Sequence, residues 1–219
     1  MLDNLTQIDT MIKSADSIRD LGILADKFKF DKHIAEIAKK ANSVLASIKR
    51  SMKFVKKETF NALYKSLVRP ILEYCAPVWN PYKIKQIKTL ESVQRRATRL
   101  VKEVKNKSYT ERLLSLDLPT LSYRRRRGDM ITTFKILHGM IDTDRKIFFE
   151  RSTSATRGHN LKLFKFASSS SLRKNYFSNR VINEWNNLPA TVVNAKSVSE
   201  FEKLYDDFCG SEKYEYEYA

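Results

Sequence analysis

At 219 residues and 42% hydrophobic content, the chain can bury one sizeable core or two small ones, and 41 Lys+Arg against 25 Asp+Glu leave it at +16. That excess points to a polyanionic partner, by steering and by counterion release from phosphates. Two cysteines without a CxxC pair and three scattered histidines support neither a zinc site nor a disulfide framework, and two buried thiols in a reducing compartment are expected. No apolar run is long enough for a membrane span, and Met1-Leu-Asp-Asn-Leu5 does not read as a secretory leader. The expected location is therefore cytoplasmic or nuclear.

Five glycines and five prolines leave few turns, so long helices are expected. Residues 1–30 read as short strands and turns, with Gly22 at a bend inside Ile18-Arg-Asp-Leu-Gly-Ile-Leu24. From Asp31, read as an N-cap, Ile34, Ala38, Ala41, Leu45 and Ile48 form one apolar stripe ringed by Lys39, Lys40, Lys49 and Arg50. A second helix, 57–74, should kink or end its first part at Pro70. Pro77 and Pro81 then force a turn in which Trp79 and Tyr82 plug the joint between helices.

The third helix, 83–104, combines two stripes. Ile84, Ile87, Leu90, Val93, Ala97, Val101 and Val104 face inward, while Lys85, Lys88, Ser92, Arg95, Arg96, Arg99 and Lys102 form a basic row softened by Glu91 and Glu103. Such a helix docks on a core and still offers cations to a phosphate backbone. Ser108 and Glu111 form a capping box for a short helix, and Thr120 opens a helix carrying Arg124 to Arg127. Loop, a short alternating strand at 161–166 and loop follow. Helices return at 176–187 and 198–208, the second capped by Ser197 and Glu200, before a tail read as frayed.

The fold class expected is mainly α: a short hairpin in 1–30, a basic helical bundle in 31–107, a second helical subdomain with a short strand in 108–208, and a disordered tail in 209–219. The basic excess is local. Residues 39–107 hold eighteen Lys/Arg and four acids, whereas 205–219 hold one base and five acids. A basic middle between mildly acidic ends describes one face of the molecule.

Leu67-Val-Arg-Pro-Ile-Leu-Glu-Tyr-Cys-Ala-Pro-Val-Trp-Asn-Pro-Tyr82 resembles the segment that follows the polymerase core in reverse transcriptases of non-LTR (LINE-like, jockey-type) retrotransposons. Leu90-Glu-Ser-Val-Gln-Arg-Arg-Ala-Thr-Arg99, Leu118-Pro-Thr-Leu-Ser-Tyr-Arg-Arg-Arg126, Arg173-Lys-Asn-Tyr-Phe-Ser-Asn-Arg-Val181 and Trp185-Asn-Asn-Leu-Pro189 are similar to the family's later blocks, in order. The resemblance implies a thumb over 31–107 and a C-terminal extension beyond it. It also implies that Leu21 and Gly22 are primer-grip-like and that fingers and palm are supplied elsewhere. The expected partners are RNA or an RNA–DNA duplex, and the palm and fingers of a polymerase, with no membrane and no small-molecule substrate.

No cofactor is expected in this chain, Mg2+ entering only with the missing palm. Tyr205-Asp206-Asp207 lacks the strand-turn setting a metal-binding hairpin needs, and no phosphate-cradling Gly-rich loop, GxSxG or HExxH is present, so no catalytic residue is expected. The expected nucleic-acid contacts are Lys85, Lys88, Arg95, Arg96, Arg99, Lys102, Arg124, Arg125, Arg173 and Arg180. Arg124 to Arg127 divide evenly between binding and internal pairing, because four consecutive arginines point all round a helix. Arg173, Lys174, Tyr176, Phe177, Arg180 and Trp185 interleave cations and rings as single-stranded bases require, although Phe177, Val181 and Trp185 read better as core. The rival expectation is a structural interaction module whose apolar faces belong against an absent domain.

Overall fold

The computed structural model describes residues 16–26, 29–52, 55–153 and 158–216. The expectation for residues 1–15 lies outside that range. Strands β1 (Ile18–Asp20) and β2 (Ile23–Ala25) pair antiparallel with Asp20 opposite Ile23, leaving Leu21 and Gly22 as a two-residue turn. Both turn residues have positive φ, 44° and 83°, the requirement of a type I′ hairpin. Glycine meets it freely; Leu21 does so at some strain, with its side chain 81% exposed at the tip.

Helix α1 (Asp31–Ser51) follows, and the expected cap is displaced by one residue. Phe30, at φ 55°, holds the cap position, while the Asp31 carboxylate accepts from Gln86 Nε2 and Lys83 Nζ at the start of a later helix. The expected break at Pro70 is also resolved differently. Helix α2 (Lys57–Leu63) widens into a π turn, Tyr64–Val68, and continues as α3 (Arg69–Glu73). The Arg69 amide donates to the Tyr64 carbonyl five residues back, and the wider turn makes room for a ring that would clash with a carbonyl in a regular helix.

Cys75, at φ 55°, reverses the chain into α4 (Ala76–Trp79) and is exposed; only Cys209 is buried, so the expectation of two buried thiols holds for one. Trp79 does plug the joint, buried with Nε1 donating to the Tyr74 carbonyl at 2.7 Å, whereas Tyr82 remains partly exposed. Helix α5 (Ile84–Thr98) stops six residues short of Val104. There the Thr98 hydroxyl accepts from Arg112 Nε at 3.0 Å, and the chain turns so that Val101 pairs with Val55 and both Val101 and Val104 reach the core.

The capping box closes α6 (Tyr109–Leu116) as expected, and Thr120 caps α7 (Leu121–Leu137) through the Tyr123 amide. The alternating 161–166 segment makes a single antiparallel bridge, Arg151 with Leu163, instead of a strand. Short helices α8 (Ser171–Lys174), α9 (Phe177–Arg180), α10 (Ile182–Asn187) and α11 (Ala190–Val193) lead to α12 (Val198–Cys209), capped by the Ser197 hydroxyl. Phe177, Val181 and Trp185 are core, as their spacing indicates.

Buried apolar side chains form two clusters. The first runs from Ile23 to Leu121 and the second from Tyr123 to Cys209, so α7 belongs to both, and the division between cores falls well past residue 107. Of the tail expected to be disordered, 209–219, residues up to Tyr216 are ordered, and 217–219 lie outside the described residues. Gly210–Tyr214 form a 3-10 turn, the Thr120 amide donates to the Lys213 carbonyl at 2.9 Å, and the Tyr214 hydroxyl donates to Asp117 at 2.7 Å. Packing Tyr214 against the first core and Tyr216 edge-on to Tyr109 offsets the ordering entropy that frees most chain ends.

Among the described residues no helix is long and apolar enough to cross a membrane. The hairpin meets the bundle through the exposed Arg19–Glu36 ion pair and through a buried histidine. His33, buried edge-on against Trp79 with ring centroids 5.4 Å apart, uses Nδ1 to accept the Leu24 amide at 3.4 Å. Burial lowers its pKa, with Glu36 opposing and Arg19 assisting. A depressed histidine pKa means the unfolded state takes up the proton first, so docking is complete above about 6.5 and weakens as pH falls below it. The expected loss is at most about 1.4 kcal/mol per pH unit. Amide exchange at Leu24 and Trp79 fluorescence between pH 7.5 and 5 should both report it, and pH-independent exchange there would exclude this role.

Candidate nucleic-acid interface

The helical repeat decides which cations share a face. Lys85, Lys88, Ser92, Arg96 and Arg99 follow at three- and four-residue steps along the outside of α5, and all five are exposed. Helix α1 lies beside it and parallel, tied near its start by Asp31 to Lys83 and Gln86, and farther along by Arg96 NH1 donating to Asn42 Oδ1 at 2.7 Å. Lys39 and Lys49 flank Asn42 on the same side of α1 and are exposed. Six cations, Lys39, Lys49, Lys85, Lys88, Arg96 and Arg99, thus share a two-helix face, and none forms an ion pair among the described residues.

The other expected contacts separate. Lys102 is exposed but sits in a 3-10 turn beyond the end of α5. Arg95 turns toward the C-terminal segment, its guanidinium 4.9 Å from the Tyr109 ring centroid and 5.2 Å from that of Tyr216. Glu91 does not soften the stripe, because it is buried. Its carboxylate accepts the Tyr109 hydroxyl and the Leu121 amide, so it caps the N-terminus of α7. Burial pushes the Glu91 carboxyl above its ordinary range, opposed by the Tyr109 hydroxyl, the charge on Arg125 and the Leu121 and Ser122 amides. Gln94 extends this buried network, accepting from Tyr64 Oη at 2.6 Å and donating to the Pro119 carbonyl at 2.9 Å.

The arginine run is consumed by pairing. Arg124 forks onto Glu73, Arg126 pairs with Glu184 at 3.3 Å, and Arg127 with Asp206 at 2.7 Å. Arg125 is buried, its Nε donating to Asn80 Oδ1 at 3.1 Å, and burial lowers its pKa. Arg180 also faces inward, donating to both Asp129 oxygens at 2.8 and 2.9 Å and to the Pro77 carbonyl at 2.7 Å. Of the two roles open to the arginine run, Arg124 and Arg125 take the internal one, and Arg180, expected as a nucleic-acid contact, is likewise paired within the fold. Three of the quoted sequence blocks meet here, since Pro77 and Asn80 come from the first, Arg125 from the third and Arg180 from the fourth.

Asp206 is occupied by Arg127 and the Tyr123 hydroxyl on α12, a helical setting. No group of three His, Cys, Asp or Glu that would hold a metal occurs among the described residues.

Leu21 stands at one edge of an apolar groove of about 940 Å3, whose walls also include Tyr74, Val78, Tyr82, Leu172, Arg173 and Tyr176. Tyr74 fixes the hairpin tip, its hydroxyl donating to the Leu21 carbonyl at 3.2 Å. Gly22 lies under the same ring, a Cβ there falling 3.8 Å from Tyr74 Cε1. Arg173 is exposed at this groove, separated from the α5 row by the joint at Trp79. Sequence reasoning missed the pairing of α1 with α5 and the gathering of Tyr74, Tyr82 and Tyr176. The basic residues round the α1 stripe were the available signal for the first; nothing local signals the second.

No family model matches the chain, and no solved structure matches it. It is 30% identical over 126 residues to the uncharacterized protein B0403.1 of Caenorhabditis elegans, an alignment taking in 56% of this chain. The chain spans 64% of that relative's length, a little under two thirds.

Proposed function

We propose that the chain is the nucleic-acid-gripping C-terminal part of a retrotransposon-type RNA-directed DNA polymerase, holding RNA or an RNA–DNA duplex by its phosphates. The observation that carries this reading is the sorting of cations. Arg124 to Arg127 and Arg180 are engaged within the fold, while six cations on α1 and α5 stay exposed without carboxylate partners among the described residues. Ion pairing would have served solubility and packing alike. An unpaired row at one-turn spacing instead suits a polyanion whose charges also repeat. In this role the chain grips and positions, and bond-making belongs to a separate palm.

The test is binding of the purified chain to fluorescent single-stranded RNA, an RNA–DNA primer–template and duplex DNA across a salt series. Preference for the primer–template is expected, with log K falling against log salt at a slope of about −5 if the six cations each meet a phosphate. A shallow slope with no preference would overturn the reading. A second reading, an interaction module for a missing domain, is favoured by one feature, the exposed Leu21, Tyr74, Val78 and Tyr176 around the groove. Concentration-dependent self-association of the isolated chain would support it.

A further inference from the structure

We propose that the groove beside the hairpin is a single-strand site, taking the unpaired extension of the same nucleic acid whose paired part lies on α1 and α5. This inference rests on the reading above and deepens it. Tyr74, Tyr82 and Tyr176 present half-exposed rings to one depression. Tyr74 is held by its bond to the Leu21 carbonyl, so its ring is a fixed platform instead of a mobile side chain. Ring faces accept any base, and each stacked base loses affinity when its platform is removed.

The charges at the groove fit a phosphate chain. Lys29 and Arg173 line it, are exposed and form no ion pair among the described residues, against one exposed acid, Asp20. Arg180 and Lys83 nearby are occupied by Asp129 and Asp31, leaving Lys29 and Arg173 as the available pair. A polypeptide helix would use the same apolar walls, but it needs no cations placed at this mouth and no row of phosphate-spaced cations leading to it.

Continuity supplies the third argument. Gln86, in the first turn of α5, lines the groove and also bonds the Lys29 carbonyl and Asp31 at the start of α1. The α5 row of Arg99, Arg96, Ser92, Lys88 and Lys85 therefore ends at the groove's edge. A strand that follows the row toward the helix N-terminus runs out beside Tyr82.

The experiment compares a blunt RNA–DNA duplex with the same duplex carrying a six-nucleotide overhang with 2-aminopurine at successive positions. Binding is read by anisotropy and stacking by 2-aminopurine fluorescence. The overhang is expected to add roughly ten-fold in affinity and to quench the probe. Y82A and Y176A should each lose that gain, while Y82F and Y176F keep it, with blunt-duplex affinity and melting unchanged throughout. If the blunt duplex binds and the overhang adds neither affinity nor quenching, the groove proposal falls and the reading of the α1–α5 face stands. If the blunt duplex does not bind, that reading falls first. If Y82A and Y176A leave the overhang gain intact but abolish self-association, the occupant is a second copy and the proposal is wrong.

Discussion

Replacing Asp129 with alanine should cost about 3–5 kcal/mol and lower the melting temperature by about 6–20 °C. Asp129 is almost fully buried on α7, where both its oxygens accept from Arg180 and one also accepts from Asn80 Nδ2 at 3.0 Å. Asn80 in turn accepts from the buried Arg125. Removing the carboxylate leaves the Arg180 guanidinium with only the Asn175 and Pro77 carbonyls as acceptors and takes one of three nearby carboxylates, beside Glu91 and Glu73, from the buried Arg125. The large cost is that of an uncompensated buried charge and not a measure of what the ion pair contributes. A D129A/R180M double variant should therefore be more stable than D129A alone. Thermal and urea denaturation of the three proteins decide the matter, and a loss below about 1 kcal/mol for D129A would refute this account.

Reversing Lys88, Arg96 and Arg99 together to glutamate should leave the fold intact and weaken nucleic-acid binding by on the order of a hundred-fold or more at 0.1 M salt. The figure follows from counterion release, which supplies roughly 0.9 log units per phosphate contact at that concentration. The slope of log K against log salt should fall by about three units, alike for every sequence, because phosphates carry no sequence information. Stability should change little, since all three side chains are exposed and, among the described residues, only Arg96 has a hydrogen-bond partner, the Asn42 amide oxygen. Arg95 is left out deliberately. Its stacking on Tyr109 and Tyr216 means that its loss would also loosen the C-terminal segment. Unchanged affinity or slope in the triple variant would remove the α1–α5 face as the binding surface.

Much of this fold is legible locally. The Ser108–Glu111 capping box, the Ser197 cap and the bend at Gly22 are short-range chemistry, and each forms where the residues indicate. The apolar stripes of α1 and α5 likewise bury at helical spacing, because side-chain direction in a helix depends on the repeat; Ile84 is the exception, 53% exposed at the start of α5. Where local reading failed, a distant partner intervened. At Pro70 the sequence left a kink or an end open, and the helix instead widens into a π turn and continues. Helix α5 stops at Thr98, where Arg112 arrives from the next helix. The acidic C-terminal segment, polar enough to read as frayed, is held by Asp117, Thr120 and Tyr109.

The candidate site divides the same way. From its residues alone the chain determined that it is helical, strongly basic in its middle, and equipped with a cationic row on one helix. Which cations remain available was decided only by tertiary structure. Arg124 meets Glu73 and Arg180 meets Asp129 across 51 residues each, and Arg127 meets Asp206 across 79. An arginine is the same residue in a buried fork and on an open face. Its role depends on whether a carboxylate far along the chain is folded against it, and no periodicity carries that information.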